Sequence, residues 1–266
     1  MRGTSATSLD AVLAAVDAAQ GDARDLGSQL FTVVDAIDRA PALRRVLTDP
    51  STATEAKQAL VRSIFGGKVS SDTEKVLDAA VAGRWAAGRD FTDGLEQAGI
   101  VAYVRAAENA GIAERFENEL FEAGQVVIDD MGLRRAVSDK AAPASLKKQL
   151  LTEVFGGKVT DETLAVLQQA SVGRTGSFEK VLRRFDRLVA ARRGRTVATV
   201  RVAYELDASE RDRLAAALQR KYGNDVQLNV IVDPAVVGGI AVTVGDEVVD
   251  ATMSTRLETA RRALAG

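Results

Sequence analysis

The sequence has 266 residues, of which 46% are hydrophobic, and it carries 35 lysines and arginines against 37 aspartates and glutamates. This length gives room for about two or three domains. The high apolar content and the formal net charge of −2 argue against disorder and against nucleic-acid binding as the main role. Cysteine and histidine are both absent, which excludes thiolate or imidazole metal sites and histidine-dependent nucleophiles. Carboxylate or lysine chemistry stays open.

The first residues show no signal-peptide pattern, and no run of about 18 apolar residues suits a membrane-spanning helix. The densest apolar stretch, residues 230–249, is interrupted by one proline and by glycines and aspartates: Asp233, Pro234, Gly238, Gly239, Gly245 and Asp246. We therefore expect a protein that is soluble, or that reaches a membrane only through partners.

A repeat with an offset of 90 residues organises the first two thirds of the chain. The segment FGGKV at residues 65–69 returns at residues 155–159, and 19 of the 55 residues from 30 to 84 are identical to their counterparts. Apolar residues at helical spacing in both copies predict helices. The Gly-Gly pairs predict helix ends with a left-handed glycine, and Ser70 and Thr160 stand where the next helix should be capped. Each copy therefore predicts a bundle of five or six short helices.

The pattern changes after Arg195. Ala198, Val200, Val202 and Tyr204 alternate as one side of a half-buried strand. Asp207 then predicts a capping-box start for a helix that ends near residue 222. Residues 226–232 and 240–244 alternate again, residues 245–246 predict a hairpin turn into a short strand at 248–249, and residues 254–264 predict a last helix. We expect a mainly α protein with two tandem helical bundles, residues 1–98 and 99–194, and a small α/β domain, residues 195–266.

Several patterns that could mark a site have simpler structural interpretations. The two Gly-Gly-Lys segments lack the first glycine and the Ser or Thr of a phosphate-binding loop, so helix caps explain them better. Gly238-Gly239 lies between strands and suggests a bulge. The basic stretch from residue 174 to residue 201 has no aromatic residue free for base stacking, which favours a solvated face or an acidic protein partner. Trp85 is interpreted as core packing, with a partner contact as the alternative.

The run from Val230 to Ala251 resembles the carboxy-terminal signature of ATP synthase delta subunits, the family of the oligomycin-sensitivity-conferring protein (OSCP). That signature has a glycine pair, a turn, an aspartate and the start of a final helix, matched here by Gly238, Gly239, Gly245, Asp250, Arg256 and Leu257. The FGGKV and Leu43-Arg44-Arg45 segments also resemble the family's bundle. Residues 99–266 resemble one standard subunit. Residues 1–98 resemble the additional bundle of the long actinobacterial form, either unfused or a part of a fusion with a b-type segment.

The resemblance implies a structural role. It implies a stator subunit of a proton-translocating F-type ATP synthase at the cytoplasmic face of the bacterial plasma membrane, with no catalytic, cofactor, metal or small-molecule site. The second bundle would hold an amino-terminal helix of an alpha subunit in an apolar groove. The carboxy-terminal domain would bind the b-type stalk. The groove maps onto two helix faces: Tyr103 and Ala107 on one, and Leu164, Leu167 and Gln168 on the other.

Two other classes of function compete with this one. A duplicated bundle also suits a free-standing helical adaptor or regulator. A carboxylate-dependent enzyme is the third possibility, although no pair of carboxylates is marked out by a supporting cluster. Binding to ATP synthase subunits separates the first hypothesis from the second.

Overall fold

The computed structural model describes residues 1, 3–173, 176–223, 225–234, 236, 240–244 and 247–250. Twelve helices and four strands lie in these residues. Their bounds are α1 Thr4–Ala18, α2 Ala23–Asp38, α3 Pro41–Thr48, α4 Thr54–Phe65, α5 Ser71–Ala82, α6 Gly88–Asn109, α7 Ala113–Asp129, α8 Met131–Ser138, α9 Ala144–Phe155, α10 Asp161–Ser171, α11 Phe178–Arg192, β1 Arg195–Val202, α12 Ala208–Tyr222, β2 Asp225–Val232, β3 Ile240–Val244 and β4 Glu247–Asp250. The mainly α fold with a small α/β part is confirmed. The chain divides into two compact units, Met1–Leu188 and Val189–Gly266.

The helices of the first unit repeat with the same offset as the sequence. Helices α2, α3, α4 and α5 begin 90 residues before α7, α8, α9 and α10, and α6 begins 90 residues before α11. Helix α1 corresponds to residues 94–108, which lie inside α6. One long helix therefore serves as the last helix of the first bundle and as the first helix of the second.

Equivalent polar contacts hold the fifth helix in both copies. Ser70 caps α5 and donates its backbone N–H to Gln29 Oε1 on α2 at 2.7 Å. Thr160 caps α10 and donates its backbone N–H to Glu119 Oε2 on α7 at 2.6 Å. Burial by itself would raise the pKa of Glu119, but hydrogen bonds from Thr160 and from Arg115 lower it overall. The repeat thus extends from helix bounds to individual contacts.

Helix α6 is buried on almost every side. Fourteen of its 22 residues are buried, because α1, α2, α3 and α5 pack against it from the first copy and α7 and α10 from the second. Its central residues 98–104 are all apolar, as expected of a helix segment enclosed by protein. The predicted boundary between residues 98 and 99 falls within this continuous helix, and the division into residues 1–98 and 99–194 stays a prediction.

The second unit contains a four-stranded sheet in the order β2-β1-β3-β4. Strand β1 runs parallel to β2 through the α12 crossover and antiparallel to β3, which pairs antiparallel with β4. Ala198, Val200 and Val202 of β1 pack with Leu218 of α12 in its core. The predicted capping box of Asp207 is confirmed. The predicted hairpin turn at residues 245–246 and the helix at residues 254–264 lie outside the described residues.

One residue of the predicted strand pattern is misplaced. Tyr204 was expected on the buried side with Val202, but β1 ends at Val202 and the Tyr204 side chain is 62% exposed. Its hydroxyl lies 3.2 Å from Glu210 Oε1 in the first turn of α12. In the sequence, the alternation of apolar and polar residues continues to Tyr204. In the structure, the strand ends at Val202 because the chain bends there toward α12.

Candidate partner-binding surfaces

The five residues of the predicted groove lie on two helices that contact each other, α6 and α10. Tyr103, Ala107 and Leu167 are buried, and Leu164 is half-buried. Gln168 points to α9 instead, because its Nε2 donates to Thr152 Oγ1 at 2.8 Å and to the Lys148 carbonyl at 3.1 Å. The structure therefore places three of the five in the interior, and their role in partner binding stays a prediction.

Helix α2 of the first bundle lies over this predicted groove. The rings of Phe31 on α2 and Tyr103 on α6 are 5.4 Å apart. The helices approach closely because each has a glycine at the contact, Gly27 on α2 and Gly99 on α6. A Cβ added at Gly27 would lie 2.8 Å from the Tyr103 ring, and a Cβ added at Gly99 would lie 2.6 Å from the Phe31 ring. Each aromatic ring fills the space that a side chain on the opposite glycine would need.

An ion-pair cluster fixes α2 to the first turn of α10. Arg24 Nε donates to Glu162 Oε1 at 2.9 Å, and Arg24 Nη1 donates to Asp161 Oδ2 at 3.0 Å. The Glu162 side chain is only 1% exposed, and its other oxygen is buried without a partner in the described part of the chain. The hydrogen bond to Glu162 and the nearby carboxylates raise the pKa of Arg24. Arg24 therefore supplies the cation that makes burial of this carboxylate tolerable.

The Tyr103 hydroxyl completes the contact. Burial raises the pKa of Tyr103 to about 12, and the hydrogen bond with the Ser28 side chain of α2 opposes this shift. The cleft that remains beside the ring is lined mainly by polar side chains: Asp22, Arg24, Asp25, Ser28, Tyr103 and Asp161. Phe31 of α2 thus covers the Tyr103 end of the predicted groove, and a mainly polar cleft lies beside it.

The first bundle carries the equivalent surface on α1 and α5. We call it the α1–α5 surface and define it by the residues 90 positions before the predicted groove, together with the exposed alanines of α1: Leu13, Asp17, Glu74, Leu77, Asp78, Ala11, Ala14 and Ala18. Leu77 is buried, and Asp78 pairs with Arg62 of α4 at 2.8 Å, as Gln168 bonds to α9. Leu13 and Glu74 are half-buried, and the remaining residues of the surface are exposed. Ala11 and Ala14 are open to solvent, whereas their counterparts on α6, Val101 and Val104, are buried.

The two Gly-Gly-Lys segments are turns at helix ends, as predicted. The Phe65 carbonyl accepts from the Lys68 N–H at 2.9 Å across Gly66 and Gly67, and Gly67 has φ 72°. Lys68 Nζ donates to the Ile64 carbonyl at 2.8 Å, so the ammonium group serves the end of its own helix. The second copy repeats the turn with Gly157 at φ 71°. These contacts leave no cradle of N–H groups for a phosphate at either turn.

Trp85 belongs to the core of the first bundle. Its ring lies edge-on to Phe91 with centroids 5.8 Å apart, and its Nε1 donates to the Ala80 carbonyl at 2.8 Å. Gly94 of α6 lies directly under this ring. The structure supports the interpretation of Trp85 as core packing.

Some of the basic residues after position 174 are engaged within the first unit. Arg183 pairs with Glu179 at 2.8 Å, and Arg184 pairs with Glu96, whose side chain is 1% exposed and also accepts from Gln169. Among the described residues, no three acidic side chains are grouped so as to hold a metal ion. None of the described helices is long and apolar enough to cross a membrane.

Of the family-signature residues, the structure describes Asp250, which ends β4. Gly238, Gly239, Gly245, Arg256 and Leu257 lie outside the described residues. Sequence reasoning missed the contact of α2 with α6 and α10. The only signal for it in the sequence is the pair Gly27 and Gly99, since glycines allow two helices to cross closely.

Comparison with known proteins gives a consistent result. The family model described as "ATP synthase delta (OSCP) subunit" matches residues 11–84 and 101–264. The chain is 40% identical to "ATP synthase subunit delta" of Parafrankia sp. (strain EAN1pec), over 91% of this chain and 88% of that one. It is 39% identical to the protein of that name from Nocardia farcinica, over 99% and 98%, and 38% identical to that from Thermobifida fusca, over the full length of both.

Proposed function

This chain belongs to the ATP synthase delta (OSCP) subunit family, and from that premise we propose that it joins the catalytic hexamer to the b-type stalk and resists the torque of the rotor. A delta subunit is a structural, non-catalytic part of the peripheral stalk of an F-type ATP synthase. Its task is therefore mechanical, and large interfaces carry it out. We place it at the cytoplasmic face of the plasma membrane, attached through the complex.

For the hexamer side, we infer that a bundle holds an amino-terminal helix of an alpha subunit. The packing of α2 on α6 and α10 supports this inference. There a helix lies on the surface of a bundle of this kind and is held by an aromatic contact and an ion pair. Tyr103, Ala107, Leu164, Leu167 and Gln168 mark where such a helix would lie on the second bundle.

For the stalk side, the second unit is proposed to bind the end of the b-type helices. It forms a compact unit of its own with a separate core. Two large apolar side chains are exposed near the ends of its parallel strands: Tyr204 is 62% exposed and Val232 is 49% exposed. Exposed apolar groups of this size suit a protein interface.

Reconstitution tests the proposal. Membranes that carry the ATP synthase are stripped of this subunit, and ATP hydrolysis and ATP-driven proton pumping are measured before and after the purified chain is added back. Without the chain, hydrolysis should continue while pumping is lost, because the hexamer then turns with the rotor. Restoration of pumping supports the proposal, whereas equal pumping with and without the chain would contradict it.

A further inference from the structure

We propose that the outer edge of β2 is a docking site for an extended segment of the b-type stalk chain, which adds to the sheet as a further strand. The inference rests on the proposed function, since it names how the second unit would hold the stalk. It differs from the docking of a helix on the surface of this unit, because backbone groups of the sheet edge carry the contact.

Strand β2 lies at one edge of the sheet. In the strand order β2-β1-β3-β4, β1 is the only neighbour of β2 in the part of the chain that the structure describes. All eight residues of β2 pair with β1 in a continuous parallel register without a bulge. Successive residues of a strand direct their backbone N–H and C=O groups to opposite sides, so every second residue of β2 directs these groups away from β1. Such a row of backbone groups is a template for another strand.

The sequence of β2 has none of the features that usually prevent strand addition. Edge strands of soluble proteins are commonly short, or they carry proline, lysine or a bulge. Strand β2 contains neither proline nor a cationic residue, and its one charged residue, Asp225, stands at its start. The opposite edge is different, because β4 has only four residues and both ends, Glu247 and Asp250, are acidic. Of the two edges, β2 is therefore the one suited to pair with a partner.

A further strand would complete the burial of apolar side chains on β2. Ala198 and Val200 of β1 are fully buried, whereas Leu228 and Val230, which pair with them in β2, are only half-buried. Val232, the last residue of the strand, is 49% exposed. Helix α12 packs over β2 and closes one face of this apolar row, but its outer side stays accessible. A strand beside β2 would remove the rest of the row from water, which favours binding.

The side chains along β2 define the chemistry of the occupant. Toward α12 the added strand meets the apolar row, so aliphatic residues fit there, and toward the other face it meets Gln227 and Asn229, so polar residues fit there. Asp225 at the start of β2 is exposed, and Asp233 follows its last residue. We therefore expect alternating aliphatic and polar residues with lysine or arginine at the ends. The Val232 end of β2 also belongs to the surface already proposed for the stalk.

Amide hydrogen exchange in the full-length chain tests the inference. Exchange rates of residues 226–231 are measured by NMR on the isotope-labelled chain, alone and with an excess of the purified soluble part of the b-type chain. In the free chain, every second amide should exchange rapidly, while the amides bonded to β1 are protected. In the complex, the rapidly exchanging set should slow at least about tenfold, because it then donates to the added strand. Binding that leaves these rates unchanged would overturn the inference.

A matched pair of substitutions tests the same edge. Val230→Lys places a cation in the apolar row and should weaken binding to the soluble b-type chain at least about tenfold. Ala216→Lys introduces the same side chain at an exposed position of α12 and should leave binding within about twofold. Equal weakening by both would place the contact on α12 and contradict the inference. Circular dichroism checks the fold of each variant, and the exchange measurement decides without any substitution if Val230→Lys does not fold.

The outcomes separate the inference from the proposed function. If the chain binds the b-type chain without protection of the β2 amides, or if folded Val230→Lys binds as tightly as the unmodified chain, the inference fails while the stator role stands. If the unmodified chain does not bind the b-type chain, the stalk side of the proposed function fails and the inference falls with it. Protection of alternate amides, together with selective weakening by Val230→Lys, supports both.

Discussion

The crossing of α2 and α6 predicts a large effect from a single methyl group. In Gly99→Ala the new Cβ would lie 2.6 Å from one carbon of the Phe31 ring and 2.7 Å from another. Phe31 cannot turn away freely, because its ring also packs on Tyr103 at a centroid distance of 5.4 Å. The substitution therefore forces either the ring or the helix to shift.

The expected magnitude is a balance of two terms. Overpacking of a filled core costs about 1–3 kcal/mol, and alanine in place of glycine inside a helix returns about 0.5–1 kcal/mol. We expect Gly99→Ala to lower the free energy of unfolding by about 1–2 kcal/mol. For a compact unit of residues 1–188, this corresponds to a drop of about 2–8 °C in Tm.

Urea and thermal denaturation followed by circular dichroism measure this change. Gly88→Ala is the matched control, since it lies in the first turn of the same helix and its added Cβ would meet no atom closer than 3.4 Å. The double variant Gly99→Ala/Phe31→Leu should lose less stability than the two single variants summed, because the smaller side chain makes room for the methyl group. If Gly99→Ala is as stable as Gly88→Ala, the close crossing described for α2 and α6 is wrong.

Two further predictions concern the charged groups of the first unit. Arg24→Ala should lower the free energy of unfolding by about 2 kcal/mol, because it leaves the buried Glu162 without its cation. The control Arg39→Ala removes an exposed ion pair and should lower it by less than about 0.5 kcal/mol. Equal losses in urea titrations would count against the ion-pair cluster. The hydrogen bonds from Lys75 and then from the Gly21 N–H lower the pKa of Asp72 to about 2. The stability that Asp72 contributes is therefore present above about pH 4 and is lost as the pH falls toward 2. In scans of Tm against pH over this window, Asp72→Asn should show a shallower fall than the unmodified chain, and parallel curves would refute the assignment.

Local features of the fold could be predicted because they depend on residues close in sequence. Gly67 can adopt a positive φ at low cost, so the FGGKV segment identifies the helix end without any knowledge of the tertiary structure. Asp207 with Glu210 defines the start of α12 in the same way. The offset of 90 residues transfers such assignments from one copy to the other.

The cover on the predicted groove could not be predicted from the sequence. Tyr103 and Phe31 are 72 positions apart, and an aromatic residue on a helix face is equally suited to a core and to a partner surface. The continuity of α6 was hidden for a related reason: Gly94 and Gly99 resemble helix breakers, but they are used for close packing under Trp85 and Phe31. Tertiary packing decides both cases.

The shared helix α6 leads to the last prediction, which tests the boundary expected between residues 98 and 99. Insertion of a flexible Gly-Gly-Ser-Gly segment there should lower Tm strongly, because it breaks the helix where Ala98 and Ile100 are fully buried. The same insertion after the exposed Gly111, in the loop between α6 and α7, should change Tm by only a few degrees, since loop lengthening costs about 0.6 kcal/mol per doubling. If the variant with the insertion between residues 98 and 99 keeps its Tm and unfolds in two separate transitions, the two bundles are independent instead.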